Sequence, residues 1–241
     1  MGDAYDEIGP AAVPEASGLT QRLRRLRRDL LCRGWLAVER LRRLAKRVLD
    51  VTVAAFALMA LLPLFALVAL LIWITDRGPV LYWQQRVGRH GRVFRFPKFR
   101  SMVTNAESLV EQLSAQNQHG AAGVTFKMRA DPRITWIGRI MRRTSIDELP
   151  QLWCVLIGDM SLVGPRPALP REVVRYSLAD RRRLEAVPGL TCHWQVRGRS
   201  ELPFPRQVEL DVEYVEKGNL AVDIKLLGQT IPAVVTGRGA Y

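Results

Sequence analysis

Between Val51 and Thr75 the chain has no charged residue at all, and elsewhere it is poor in the residues that build redox and metal sites. Its three cysteines, Cys32, Cys154 and Cys192, lie far apart and form no C-x-x-C pair. That excludes a disulfide framework and reads as free thiols in a reducing compartment. The three histidines, His90, His119 and His193, are equally scattered, so no zinc centre is expected. There is no P-loop, no G-x-G-x-x-G opening a helix, no H-E-x-x-H and no G-x-S-x-G. The pair Gly88 and Gly91 is too short for a nucleotide loop. Residues 1–18 lack the basic start and apolar core of a cleavable signal peptide, show no periodicity, and are expected to form a disordered tail. No internal repeat is present.

Positive charge is abundant. The formal net charge is +13 over 241 residues, which calls for an anionic partner: phospholipid head groups, nucleic acid or a phosphorylated substrate. Arg22 to Arg47 holds 11 Lys or Arg, and Arg77 to Arg100 holds 7 with no Asp or Glu. These clusters flank the uncharged run of 25 residues, which has Pro63 at its centre. A straight helix of that length could cross a hydrocarbon core of ~30 Å. Proline deletes a backbone donor and bends a helix, leaving two arms of about 18 Å, each too short to span. Short basic flanks stay on the cytoplasmic side, and a span would export one of them. A re-entrant hairpin that breaks at Pro63 and returns keeps both inside, with Lys46 and Arg47 as its anchors at the membrane interface. A simple span and a buried soluble hairpin are the alternatives.

Leu19 to Val48 reads as a basic amphipathic helix. Leu23, Leu26, Leu30, Leu41, Leu44 and Val48 recur at helical spacing and arginines fill the other faces. Its junction with the apolar run favours an anionic leaflet over a merely solvated helix. Val80–Trp83 and Val93–Phe96 are β-prone, and residues 88–91 supply a turn, so a β-hairpin is expected within Gly78 to Met102. Pro97 places the second strand at an edge or ends it. Helices are expected over 105–118, 134–143, 148–157 (stopped at Gly158), 171–186, 207–216 and 220–235, with loops at 120–131 and 188–199. The apolar stripe of the last helix could rest on the bilayer or on the core.

The densest chemical segment runs from Arg142 to Gln151. Pro150 is tolerated only in a first helical turn, which puts Asp147 and Glu148 at a helix start, where backbone dipoles favour negative charge and can receive a phosphate. A carboxylate there can attack phosphorus or hold Mg²⁺. The competing reading is ordinary capping, because Ser145-x-x-Glu148 is a capping box. Arg142 and Arg143 lie just upstream and could neutralise a phosphate. In Gly164-Pro-Arg-Pro167 two prolines stiffen a loop around Arg166, which suits bidentate phosphate binding, or leaves a solvated arginine on a turn. Pro188 to Arg199 mixes turn residues, Trp194 and two arginines. Arg199 could reach a phosphate, and Lys98 and Arg100 could face the same anion or the membrane.

Taken in order, these segments resemble the monotopic phosphoglycosyl transferases, bacterial sugar transferases that start polysaccharide assembly. The resemblance covers Lys46 to Tyr241. It rests on Lys46-Arg47-x-x-Asp50, Arg86-x-Gly88-x-x-Gly91, Lys98 to Met102, Asp131-Pro-Arg-Ile-Thr135, Thr144 to Gln151, Gly158-Asp-Met-Ser161, Gly164 to Pro167, Pro188 to Thr191 and Trp194-Gln-Val-x-Gly-Arg199. It implies a mainly helical α+β fold: a compact cytoplasmic catalytic domain with a small β-hairpin and a re-entrant membrane helix broken at Pro63. It implies transfer of a sugar-1-phosphate from a UDP-sugar to polyprenyl phosphate, with release of UMP and with Mg²⁺ as cofactor. Asp147 would be the nucleophile, forming a phosphosugar–aspartyl intermediate. Glu148 would be its partner, implicated with Mg²⁺, and Arg142, Arg166 and Arg199 would bind phosphate and nucleotide. The terminal Gly237 to Tyr241 resembles the subgroup that uses UDP-galactose or UDP-glucose. Cys192, where the family usually has Gly, and Arg197, where it has a small residue or Asn, depart from the pattern, as does Leu62 where some members carry Ser.

The expected layout is therefore a tail at 1–18, a basic helix at 19–47, a re-entrant hairpin at 48–76 and a catalytic domain at 77–241. The site is the cytoplasmic face of a bacterial inner membrane, with inner-leaflet phospholipids as partners and no nucleic acid. The oligomeric state stays open, a homodimer included. Two other classes compete: a non-catalytic, membrane-tethered basic binding module, and an enzyme that transfers only the sugar and releases UDP.

Overall fold

A computed structural model describes residues 18–106, 108–109, 131–198 and 202–236. The expected disordered tail, most of the expected helix at 105–118, the loop at 120–130 and Arg199 lie outside the described residues. Two units are present, residues 1–44 and 45–241. In the first, the described chain is helical, and its side chains from Arg24 to Leu44 are exposed apart from a half-buried Glu39. Leu30, Leu31, Trp35 and Leu41 are more than 60% exposed.

Helix α1 runs unbroken from Gly18–Ala60, so the basic helix and the first apolar arm are one element. Helix α2, Leu62–Asp76, follows after Leu61 at a bend of 58°. Pro63 sits in the first turn of α2, where its missing N–H costs no intrahelical bond. Among the described residues no single helix is long and apolar enough to cross a membrane.

Each arm packs one face on the body of the second unit. Ala54, Ala57, Leu58 and Leu61 join Phe96, Leu152, Val155 and Leu162, while Val68 and Ile72 join Phe99, Ile137 and Met141. Their opposite faces leave Phe56, Met59, Leu62, Leu67, Trp73 and Ile74 exposed. An apolar surface of that extent on a folded chain marks a face that some other apolar phase covers.

The body of the second unit is built on two small sheets. Strands β1 (Leu81–Val87) and β2 (Val93–Phe99) pair antiparallel across a 3₁₀ turn at Arg89–Gly91. Pro97 lies inside β2 opposite Trp83, which a two-stranded ribbon permits because every strand is an edge. Helix α3 (Trp136–Thr144) is capped by Thr135, whose side chain accepts from Gly138 N. A 3₁₀ turn (Ile146–Gln151) and helix α4 (Leu152–Ile157) follow. Strand β3 (Ser161–Val163) pairs in parallel with β4 (Gly189–Thr191), a pairing the sequence did not announce.

The single helix expected at 171–186 is broken. Short helices α5 (Pro170–Val173) and α6 (Leu178–Arg181) and a 3₁₀ turn (Arg182–Glu185) replace it. Ser177 and Asp180 form a reciprocal cap that starts a new helix in mid-segment. Residues 193–197, expected to be irregular, form helix α7 (His193–Arg197). Helices α8 (Phe204–Lys217) and α9 (Leu220–Thr236) complete the body. In α9, Asp223 and Leu226 are buried while Ile224 and Ile231 face outward, so its stripe serves the core on one side only.

Lys46 and Arg47 turn into the protein instead of outward to head groups. Lys46 Nζ donates to Asp223 Oδ2 (2.6 Å) and Val163 O (3.2 Å). Arg47 donates to the carbonyls of Val155 (2.6 Å) and Leu156 (2.8 Å), at the end of α4 where cations are favoured. Asp50 accepts from Leu162 N at 3.0 Å. These three side chains dock the end of α1 onto β3, α4 and α9, because a buried charge is stable only when paired.

Candidate active site

In an antiparallel ribbon every second side chain shares a face. Tyr82, Gln84 and Arg86 from β1 stand beside Lys98, Phe96 and Phe94 from β2 in register. That face forms one wall of a cavity of about 1400 Å³, whose other walls carry Asp147, Glu148, Arg142 and Arg166.

Asp147 and Glu148 lie in the 3₁₀ turn and not at the start of an α-helix. Ser145 takes a left-handed conformation (φ 58°) that swings the chain out of α3, and its side chain caps nothing. The capping-box reading of Ser145 and Glu148 therefore fails: Glu148 turns away to two cations. Arg166 Nη2 donates to Oε1 (2.5 Å) and Nη1 to Oε2 (3.2 Å), and Lys98 Nζ donates to Oε1 (2.8 Å). Asp147 is 6% exposed, and among the described residues no group hydrogen-bonds to its carboxylate.

The two carboxyls are driven apart. Burial raises Asp147 and the neighbouring Glu148 raises it further, while Lys98, Arg142 and Arg166 pull the other way; the balance stays above the usual aspartate range. Burial also works to raise Glu148, but Arg166 and Lys98 overcome it and hold Glu148 well below the usual range. Burial pushes the Lys98 ammonium down, against Glu148. Arg166 rises despite its burial, because Glu148 binds its charged form. Glu148 is thus a fixed anion, and Asp147 is the more basic carboxylate, with no hydrogen-bond partner among the described residues.

Arg166 owes its position to a turn held from both sides. Gly164 N donates to Thr191 O (3.0 Å) and Gly189 N to Pro165 O (2.9 Å). A Cβ on Gly189 would meet Gly164 N at 2.0 Å, and one on Gly164 would meet Val187 O at 2.3 Å, so this approach requires glycine on both strands. Arg142 reaches the cavity from the last turn of α3, with Nε on Ser101 Oγ at 3.0 Å. Arg100 also lines the cavity, but its guanidinium lies over Gly78 and pairs with Asp76 at 3.3 Å. Its charge serves the end of α2 and not the dyad.

Sequence reasoning gave no role to several groups that the fold brings here. Arg86 and Gln84 line the cavity, and alternation within β1 was the available signal. Asp131 and Arg133 form a buried pair joined by Nε–Oδ1 (2.9 Å) and Nη2–Oδ2 (2.6 Å) on the same wall.

A model of the bacterial sugar transferase family matches residues 41–237. Over 201 residues, 82% of this chain and 43% of the relative, the chain is 44% identical to a galactosyl transferase, CpsE, of Streptococcus agalactiae. It is 38% identical over 200 residues to the exopolysaccharide production protein ExoY of Sinorhizobium fredii, covering 82% of this chain and 88% of that one. It is 43% identical over 204 residues to an undecaprenyl-phosphate galactose phosphotransferase of Salmonella typhimurium, covering 83% of this chain and 42% of that protein. The chain thus spans about two fifths of the length of two of these relatives and most of the third. It belongs to the bacterial sugar transferase family.

Proposed function

We propose that this protein transfers a hexose-1-phosphate, of galactose or glucose, from a UDP-hexose to polyprenyl phosphate with release of UMP, and so initiates a surface or secreted glycan. The carrying observation is the buried Asp147 carboxylate. It faces a large cavity without a described partner, beside a glutamate already neutralised by Lys98 and Arg166. A carboxylate that only stabilised the fold would be the bonded one.

In the first step an Asp147 oxygen attacks the phosphorus that bears the sugar. The O–P bond forms, the bond to the bridging oxygen breaks, and UMP leaves with that electron pair. In the second step a phosphate oxygen of the lipid attacks the same phosphorus and the aspartyl bond breaks, restoring the carboxylate. Lys98, Arg166 and Arg142 offset repulsion between anionic reactants. Arg199 contributes to nucleotide binding.

Magnesium fits this donor set. No cluster of three acidic, His or Cys groups exists among the described residues. Mg²⁺ needs only one or two carboxylates when phosphates and water fill its other positions, and Asp147 and Glu148 would supply them. When bound it neutralises phosphate charge.

The protein works on the cytoplasmic face of a bacterial inner membrane. The bend of 58° at Pro63 and the apolar outer faces of both arms support a re-entrant wedge in the inner leaflet. The exposed arginines and leucines of residues 22–44 support contact of that helix with anionic phospholipid. A non-catalytic basic module gives no reason for the dyad, and a sugar-only transferase would release UDP. Purified protein with Mg²⁺, a short polyprenyl phosphate and a panel of UDP-sugars is expected to yield UMP. Trapped enzyme is expected to carry a hexose phosphate on Asp147. Release of UDP, or an adduct on another residue, would overturn the reading.

A further inference from the structure

We propose that Arg86 is a positioning residue for this transfer: its guanidinium, seated on Gln84, braces the Pro165–Pro167 turn so that Arg166 meets Glu148. The inference rests on the activity proposed above and adds a residue with no contact to the dyad.

The turn from Gly164 to Ala168 has few handles. Pro165 and Pro167 have no N–H, so the turn is held mainly by its carbonyls. On the side of β4 the grip is backbone alone, through Gly164 N on Thr191 O and Gly189 N on Pro165 O. On the side of β1, Val87 N donates to Ala168 O (2.9 Å) and Arg86 Nη1 donates to Pro167 O (3.0 Å). Among the described residues, Arg86 is the only side chain that bonds to the backbone of 164–168. Arg166 lies between the two grips, so slack on either side displaces its guanidinium.

Arg86 is itself held in a fixed plane. Its Nε (3.0 Å) and Nη2 (2.7 Å) both donate to Gln84 Oε1. An arginine cannot accept, so this contact fixes which end of the amide faces it. The guanidinium also lies over the Phe96 ring, 5.1 Å from its centroid. Phe96 is 1% exposed and belongs to the core, so the brace connects the turn to a rigid body. Burial and the nearby Arg166 push Arg86 down to about 10, which leaves it charged at neutral pH. Lysine reaches one acceptor where this fork reaches two, so it replaces only part of the brace.

The consequence reaches the dyad through Arg166. The cations facing the dyad are Lys98 from β2, Arg142 from α3 and Arg166 from the turn, with the Asp131–Arg133 pair behind Arg142 and Arg86 behind Arg166. Loosening Arg166 takes its guanidinium off Glu148 and leaves Lys98 as that carboxylate's bonded cation.

The test uses the full-length protein in bilayer nanodiscs, comparing wild type with Arg86→Gln, Arg86→Lys and Gln84→Met. For Arg86→Gln, kcat is expected to fall roughly 10–100-fold, as for a small misplacement of a charged group. KM for the UDP-hexose is expected to stay within about threefold. Arg86→Lys should recover part of the loss of kcat, and Gln84→Met should show a smaller loss of the same kind, again at little change in KM. Hydrogen exchange at the amides of Val87 and Gly189, which donate to the carbonyls of Ala168 and Pro165, should rise in Arg86→Gln whether or not substrate is turned over. Unchanged exchange would overturn the brace, even if the wild type proved inactive. So would a raised KM at normal kcat, the mark of a direct substrate ligand. Loss of activity in step with melting temperature in both Arg86→Gln and Gln84→Met, with no recovery in Arg86→Lys, would mean a structural role only.

Discussion

Two of the buried arginine–carboxylate contacts in this body, those of Glu148 and Asp211, differ in what surrounds them. Arg166 and Lys98 both grip Glu148 at the edge of the cavity, and Glu148 sits well below the usual carboxylate range. Arg183 is the cation bonded to Asp211 in the core, with its other arm on Tyr176 (3.0 Å), and burial lifts Asp211 to about 6 against Arg183, Trp194 and the more distant Arg166. At Asp211 one bonded cation does not offset the desolvation, whereas at Glu148 two bonded cations do. The second cation is what a core pair lacks and a phosphate site requires, because the surplus positive charge is available to an incoming anion.

The largest test of this contrast is Asp147→Asn. Transfer is expected to drop on the order of 10⁴-fold or more, with little change in melting temperature, since the lost charge had no described partner. Ordinary turnover by that variant in the UMP assay would remove the site from Asp147.

Lys98→Met comes next. It strips one of the two cations from Glu148 and the largest lowering influence from Asp147. A group needed as carboxylate, with a raised pKa, loses activity as pH falls through that pKa. The acid limb of wild type should therefore lie above the normal aspartate range, and Lys98→Met should move it higher still. A pH–rate profile with an unmoved acid limb would contradict the assignment.

Asp211→Asn probes the other member of the comparison. Breaking a buried pair leaves Arg183 uncompensated and should cost about 3–5 kcal/mol in denaturant unfolding. In the molecules that remain folded, the acid limb should not move. Smallest is the exposed pair Arg206–Glu209, where Arg206→Gln should change stability by no more than about 0.5 kcal/mol.

Much of the fold was legible in the chain. Periodicity located the apolar arms and the hairpin, and Pro63 marked the break. The misreadings have specific causes. Helix 171–186 broke because Ser177 and Asp180 cap one another, a local choice that an amphipathic pattern conceals. The parallel β3–β4 pair joins segments nearly thirty residues apart, each only three residues long, and has no periodic signature. Lys46 and Arg47 looked like interface residues because they adjoin the apolar run. The structure gives them to Asp223, to Val163 and to the backbone of 155 and 156. Ser145 and Glu148 match a capping box in spacing, but a left-handed Ser145 cannot close it.

The sequence by itself determined which chemistry the chain carries: an Asp–Glu pair, a proline-stiffened arginine, an excess of basic residues and an uncharged, proline-broken run. Residue type and local backbone limits set those features, and they do not depend on distant contacts. Only the tertiary structure decided which carboxylate is neutralised and which is left open. Lys98 is 50 residues from Glu148 and Arg166 is 18, and no local rule brings both to the same oxygen. Their convergence follows from packing the hairpin, the 3₁₀ turn and the β3–β4 pair together, which brings cations distant in the chain onto one glutamate.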